Sequence, residues 1–307
     1  MFAKRRSMSL FKYVDAERID ILQNAHIRFT QPIEYNDPFE LYPRFELLGY
    51  DEHIRNTVKE FLKKTNRLCD ECLQKDVGKC DQVIKRIAES SINEMVPKAQ
   101  RDFLSSLMGK MYKICGIVSL TEKSDNLLMW AHYSDGHKGF VIEFDEKNSY
   151  FCRNNFKKIR YEEQRPKVIL CAPNSGLDNS DYSGYLESFY VKSKHWEFEQ
   201  EWRMINNLSN CKWKTIKDGH EIYLYPLPLE CIKGIIIGCR MSDKNKYNLV
   251  RLLKSDKKYF HIKLYCAEVN EKEFKIDKIE TNIDSIIFKN NMFGKIKQLF
   301  NFRIFKK

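Results

Sequence analysis

Glu199 and Glu201 stand two apart in the stretch KHWEFEQEWRMI, and Arg203 follows two further on. In a strand, three such positions project from one face. On a helix, residues two apart lie about 200° round the axis and do not converge. The following WRMIN favours the strand, so the stretch presents a Glu-Glu-Arg row on one side and Trp202 on the other. Two carboxylates and a guanidinium in one row are a candidate catalytic site. The same row also reads as an ion-pair ladder on a sheet surface, which contributes little stability.

Two further segments bear on the choice. In VSLTEKSDNLLMWAHYSDGHKGFVIEFD, Ser119 and Thr121 end an apolar strand, alternate onto one face and lead into a helix bearing Trp130 and Tyr133. Trp130 and Tyr133 also read as core contacts of an amphipathic helix. In LFKYVDAERIDILQNAHIRFTQPIEYNDPFE, Lys12 and Tyr13 lie on an opening strand, and the unit ends in a polar turn carrying Asn36, Asp37 and Glu40. Those three would line a cleft mouth; alternatively, Asn36 and Asp37 bond their own backbone. His132, Asp135 and His137 straddle a Gly-containing turn instead of taking the i, i+4 spacing of helical metal ligands, so no metal is expected there. Cys69-x2-Cys72 with Cys80 lacks a nearby fourth ligand and reads as reduced helical cysteine.

The elements that must position these residues follow from periodicity. SLFKYV, HIRFT, ICGIVSLT, KGFVIEFD, KKIRY, KVILC, EQEWRMIN, HEIYLYPL, IKGIIIGC and HIKLYCAEV read as strands. DAERIDILQNA with Asp15 as N-cap, SDNLLMWAHYSDG, YLESFYVKSK and DKNKYNLVRLLKSD read as helices. The order predicts an α+β fold with a mixed, mostly antiparallel sheet core instead of regular βαβ alternation. A charged, helix-forming run from about 51 to 111 reads as a helical insertion into a single domain of residues 1–284. There is no internal repeat and no Gly-rich phosphate loop.

At 307 residues, 43% apolar, with 20 Phe and 16 Tyr, the chain has the material for a substantial core. No apolar run is long enough to span a membrane, and the N-terminus lacks the apolar stretch of a signal peptide, so a cytoplasmic location is expected. Several of the ten cysteines sit inside apolar runs, where reduced thiols behave as small core residues. The net charge of +11 is uneven: residues 285–307 hold six basic side chains and no acid. That basic amphipathic tail would pack on the domain with its lysines in solvent, or meet phosphate backbones, an anionic membrane face or an acidic partner.

The pieces LFKYVD, YNDPFE, LMWAHYSDGHKGFVIEFD and FEQEWR resemble the recurring motifs of the bacterial family known as domain of unknown function 2971, from Leu10 to roughly Gly238. More distantly, the order of parts is similar to the ADP-ribosyltransferase superfamily. There an opening strand carries a His or Arg that holds NAD, a middle strand ends in Ser-x-Ser/Thr, and a late strand bears Glu/Gln-x-Glu. The corresponding pieces are Lys12, Ser119-x-Thr121 and Glu199-x-Glu201. Lys12 departs from the pattern, being a point-charge donor where the superfamily has His or Arg.

That resemblance implies NAD as co-substrate and a macromolecular acceptor, nucleic acid or protein, in a bacterial toxin or phage-defence setting. Glu201 would stabilise the ribose cation, and Glu199 would orient the acceptor or take its proton. Ser119 and Thr121 would place the carboxylate or ribose, and Tyr13, Trp130 and Tyr133 would stack on nicotinamide. Lys12 and Arg203 would meet the pyrophosphate or the adenosine ribose, unless Arg203 only neutralises Glu199. The competing reading is a non-catalytic nucleotide- or protein-binding sensor that meets its partner through the helical insertion or the basic tail. A metal-dependent nuclease ranks last, since neither Glu143/Asp145 nor Glu199/Glu201 is followed by the D/E-x-K pattern.

Overall fold

The computed structural model describes residues 9–48, 115–152, 156–171, 187–217 and 219–283, with Ile286 and scattered positions between 53 and 114. In chain order the elements are β1 (Ser9–Val14), α1 (Asp20–Asn24), β2 (His26–Phe29), β3 (Arg44–Leu48), β4 (Cys115–Thr121), α2 (Leu127–Tyr133), β5 (Phe140–Asp145), α3 (Ser149–Cys152), β6 (Lys157–Lys158) and β7 (Arg160–Glu162). They continue as β8 (Lys167–Cys171), β9 (Val191–Ser193), β10 (Glu201–Asn207), β11 (Trp213–Lys217), β12 (His220–Pro226), β13 (Ile232–Ile237), α4 (Asp243–Ser255), β14 (Lys263–Val269) and β15 (Ile276–Glu280). The fold is α+β, with mostly antiparallel sheets and few helices.

The chain divides into two compact units. The larger comprises Met1–Glu34, Cys115–Tyr161 and Lys194–Lys307. Its main sheet has the strand order β15-β14-β13-β5-β1-β4-β10-β6. Neighbours are antiparallel except β13 and β14, which are parallel and joined through α4. A parallel pair needs such a crossover, because a tight turn can only join antiparallel strands.

Strand alternation divides the core of this unit between the two faces of the sheet. Leu10, Val14, Val118, Leu120, Ile142, Phe144, Ile235 and Ile237 pack on one side with α1, β2 and the apolar stripe of α4. Phe11, Tyr13, Val141, Ile236, Ala267 and Ile276 face the other way and pack against Met129 and Trp130 of α2. Among the described residues one short helix serves the second face, and the polar residues of interest gather beside it. A smaller sheet, β11-β12-β2, completes the unit. The second unit comprises Tyr35–Ile114 and Glu162–Ser193 and contains the parallel pair β3–β8. Each described position between 53 and 114 is helical.

Three local expectations fail for identifiable reasons. The helix after β1 is split: Ala16–Ile19 is a 3-10 turn with Arg18 off helical geometry, and α1 covers only Asp20–Asn24. Asp15 makes no side-chain cap, although its backbone conformation suits one. Of the expected helix through YLESFYVKSK, Tyr185 and Leu186 lie outside the described residues and only Glu187 and Ser188 are helical, before a turn, β9 and a 3-10 stretch, Lys194–Glu199. The β-branched Val191 opens the strand, where such a side chain packs well on the pleat. Strands β3, β11 and β15 were not legible. β11, for example, is exposed at all five positions, so no alternation marks it.

Candidate functional site

The sheet register brings the mid-chain and late motifs side by side. β4 and β10 pair antiparallel, with Glu201 opposite Thr121 and Arg203 opposite Ser119. β1 meets β4 at Phe11 and Thr121. Partners across a ladder share a face, so Phe11, Thr121, Glu201, Ser119 and Arg203 all lie on the α2 side of the sheet. Trp202 is on the other side, stacked on Phe156 at 4.9 Å, as the sequence predicts.

The Glu-Glu-Arg row itself needs correction. Gln200 has φ 43°, and Glu199 ends the 3-10 stretch instead of starting the strand. A left-handed residue breaks the two-residue repeat, so only Glu201 and Arg203 form a strand row. Glu199 still arrives nearby by another route. The Tyr133 hydroxyl donates to its Oε1 at 2.6 Å, and the Thr121 hydroxyl donates to its main-chain carbonyl. Thr121 Oγ1 also accepts the Lys123 amide at 3.0 Å, so this hydroxyl braces the turn after β4.

Glu201 and Arg203 form a bidentate pair. Arg203 Nε donates to Oε1 at 2.7 Å and a terminal guanidinium nitrogen donates to Oε2 at 3.0 Å. Arg203 is fully buried, and Glu199 and Glu201 are each 3% exposed. Two parallel charge-assisted bonds are the strongest pairing the two groups can make. The Tyr161 hydroxyl accepts the Glu201 amide at 2.7 Å, fixing the start of β10.

Lys12 lies elsewhere. It alternates with Leu10 and Val14, which puts it on the sheet face opposite Glu201, and its Nζ donates to the Ser119 carbonyl at 3.3 Å. Burial is the largest influence on its ammonium. Together with the Arg18 and Arg28 guanidinium groups it pushes the pKa down to about 8, against the pull of Glu201. Lys12 therefore lies on the strand next to that of Ser119 but not on the same face as the carboxylates.

The aromatic residues are mostly core. Trp130 is fully buried, with Tyr13 edge-on at 5.2 Å and His137 stacked on it at 6.0 Å. Its indole N–H donates to the Ser124 carbonyl, and the Tyr13 hydroxyl donates to the Lys123 carbonyl. Burial raises the Tyr13 phenol far above its usual range. Tyr133 is half-buried and is the one aromatic of the three in contact with a carboxylate.

Two residues outside the expected set organise the site. Asn126 caps α2 by accepting the Leu128 and Met129 amides, and its side-chain amide donates to the Phe198 carbonyl at 2.8 Å. It thus ties the helix carrying Tyr133 to the segment carrying Glu199. Glu122 accepts from Lys158 at 2.7 Å and from the Trp202 indole at 2.8 Å. Burial alone would raise its pKa, but these two bonds and the Lys158 and Lys123 charges lower it. Asn126 was legible as a cap before an apolar run, whereas the Glu122 contacts depend on pairing across β10.

In the second unit, Asn36 is exposed, and Asp37 is buried and accepts the Phe39 amide at 2.9 Å, so it closes a turn on its own backbone. Glu40 is buried 3.4 Å from Lys192 Nζ. Among the described residues no three His, Cys, Asp or Glu side chains come together as metal ligands. Cys69, Cys72, Cys80 and the tail from 287 to 307 lie outside the described residues. No helix among those described is long and apolar enough to cross a membrane.

Fold and site together define an α+β protein with a mixed, mostly antiparallel sheet and a buried carboxylate–guanidinium cluster beside one short helix. Residues 129–204, about a quarter of the chain, match a family described as "Protein of unknown function (DUF2971)". The match runs from α2 to β10 and so includes Trp130, Tyr133, Glu199, Glu201 and Arg203; LFKYVD and YNDPFE fall outside it. No curated protein and no solved structure matches the chain.

Proposed function

We propose that the chain is an ADP-ribosyltransferase-like enzyme that uses NAD as co-substrate to modify a macromolecule, nucleic acid or protein, in a toxin or phage-defence setting. The finer fold assignment, an ADP-ribosyltransferase-like sheet, belongs to the same proposal. One observation carries it: Glu201 sits opposite Thr121 while Glu199 is held on Tyr133, so the late Glu-x-Glu meets the mid-chain Ser-x-Thr motif.

In this reading the bond between the ribose C1′ and the nicotinamide nitrogen breaks, and its electron pair leaves with nicotinamide. The acceptor oxygen or nitrogen then bonds to C1′, and its proton passes to Glu199. Two carboxylates against the single Arg203 guanidinium leave one excess negative charge among these three side chains. Out of bulk water that charge acts strongly on a cationic ribose. Arg203 holds Glu201 fixed in direction, which supplies the preorganisation that such catalysis needs. Lys12, on the other face, takes no part in contacting the ribose and serves the strand pairing through Ser119.

A second reading, a nucleotide- or protein-binding sensor without turnover, is favoured by the enclosure of the cluster. Both Glu201 oxygens are already engaged, and the residue is 3% exposed. Incubation of the folded chain with labelled NAD and cell extract separates the two. The enzymatic reading expects label on a macromolecule or release of nicotinamide, abolished by Glu201→Gln. Neither product from a folded sample rejects the enzymatic reading in favour of the sensor.

A further inference from the structure

Beyond the carboxylate cluster, a cavity of about 390 Å³ opens at the far end of α2, lined by Leu127, His137, Arg240, the Asn270–Lys275 turn and Ile276. That volume lies within the range of small-ligand sites. The turns that carry His137 and Arg240 are built at close quarters. A Cβ on Gly238 would come 2.3 Å from the His137 carbonyl oxygen, and one on Gly139 would come 2.0 Å from that of Val14. The Arg240 amide donates to the His137 carbonyl at 3.1 Å, locking the two turns together. Asp135 and His137 hold φ values of 48° and 70°, a conformation that costs free energy at non-glycine residues and clusters at ligand sites.

The lining groups are chemically unspent. His137 Nδ1 is buried without a hydrogen-bond partner among the described residues. Burial and Arg240 lower the pKa of the His137 imidazole. A neutral ring offers Nδ1 as either donor or acceptor according to tautomer. Lys275 is engaged by Glu273 and Asp277, whereas no ion pair joins Arg240, Lys272 or Glu271 to any described residue. Phe274 stands fully exposed on the turn, and Val269 is 69% exposed beside it. Two cations and one carboxylate without an ion pair among the described residues, a buried imidazole nitrogen and an apolar wall together match a ring, a sugar and a phosphate.

We propose that this cavity binds a nucleoside phosphate. Arg240 and Lys272 take the phosphate, Glu271 accepts from the ribose hydroxyls, and Phe274 and Leu127 cover the base. The inference is independent of chemistry at Glu201, since none of these residues belongs to that cluster.

Calorimetric titration of the full chain tests it, with AMP, adenosine and inorganic phosphate as probes. AMP is expected to bind saturably, one per chain, and adenosine and phosphate each at least tenfold more weakly. Arg240→Ala and Phe274→Ala, both at exposed side chains and so expected to fold as wild type does, should each weaken AMP at least tenfold. Lys254→Ala, on the exposed face of α4, should leave AMP binding unchanged. Absence of saturable AMP binding to the wild-type chain overturns the proposal. So does adenosine binding as tight as AMP, or AMP binding to a folded Arg240→Ala variant with wild-type affinity.

Discussion

The Arg203 guanidinium grips both oxygens of Glu201 from two positions along the same strand, at 2.7 and 3.0 Å, with scarcely any exposure of either residue. The pair is a local device, made by one strand face. Its neighbours make it a site: Thr121 across the ladder, and Glu199 brought in by the left-handed turn at Gln200.

A buried pair of this kind is costly to break and cheap to replace as a unit. Arg203→Met leaves Glu201 without its partner and is expected to lower unfolding free energy by about 3–5 kcal/mol. The double variant Glu201→Leu/Arg203→Met should recover most of that loss. Urea denaturation of the two variants checks it; equal losses would show that the pair is not coupled.

The phenol of Tyr133 is the link between α2 and the Glu199 carboxylate. Tyr133→Phe removes one hydrogen bond to a buried charged group, with an expected loss of about 1.5–3 kcal/mol. Chemical denaturation measures this, and a change below 0.5 kcal/mol (about the reproducibility of such ΔΔG values) contradicts the bond.

Much of this was open to inspection in the sequence, and the reasons for the misses are physical. The apolar runs around Ile117, Val141 and Ile235 alternate or persist as buried strands must, so the central sheet and its mostly antiparallel character were readable. The pairing of Glu201 with Thr121 was anticipated only as motif order, since register is set by strands far apart in the chain. Glu199 was misread because a left-handed Gln has no sequence signature comparable to glycine's. Lys12 was expected, by analogy of order, to meet the pyrophosphate or adenosine ribose of NAD, and strand alternation puts its side chain on the face opposite the carboxylates.

Lys12 gives a pH signature. Its folded-state pKa is lowered from 10.5 to about 8, so the unfolded chain binds more protons across that interval. Stability from this group therefore rises with pH between about 8 and 10.5, and its burial penalty is fully present below pH 8. Relative to Lys12→Met, the wild-type chain should gain stability across that window. Thermal unfolding at pH 7.5 and 10 measures the difference, and a gap that does not narrow contradicts the burial of the ammonium.

The close approach of Gly139 to the Val14 carbonyl makes a steric prediction. Gly139→Ala puts a methyl 2.0 Å from that oxygen, which is backbone and cannot swing aside. The expected loss is about 3 kcal/mol or more. Gly136→Ala, where nothing lies within 4 Å but φ is 58°, should cost less, about 1–2 kcal/mol from strain alone. Reversal of that order in denaturant midpoints would falsify the packing of these turns.

The most direct measurement is a crystal structure of the chain grown with NAD. The account predicts the Glu201–Arg203 pair retained, with the nicotinamide ribose C1′ about 3.5 Å from a Glu199 or Glu201 oxygen. NAD bound away from both carboxylates, or no dinucleotide at saturating concentration, would contradict it.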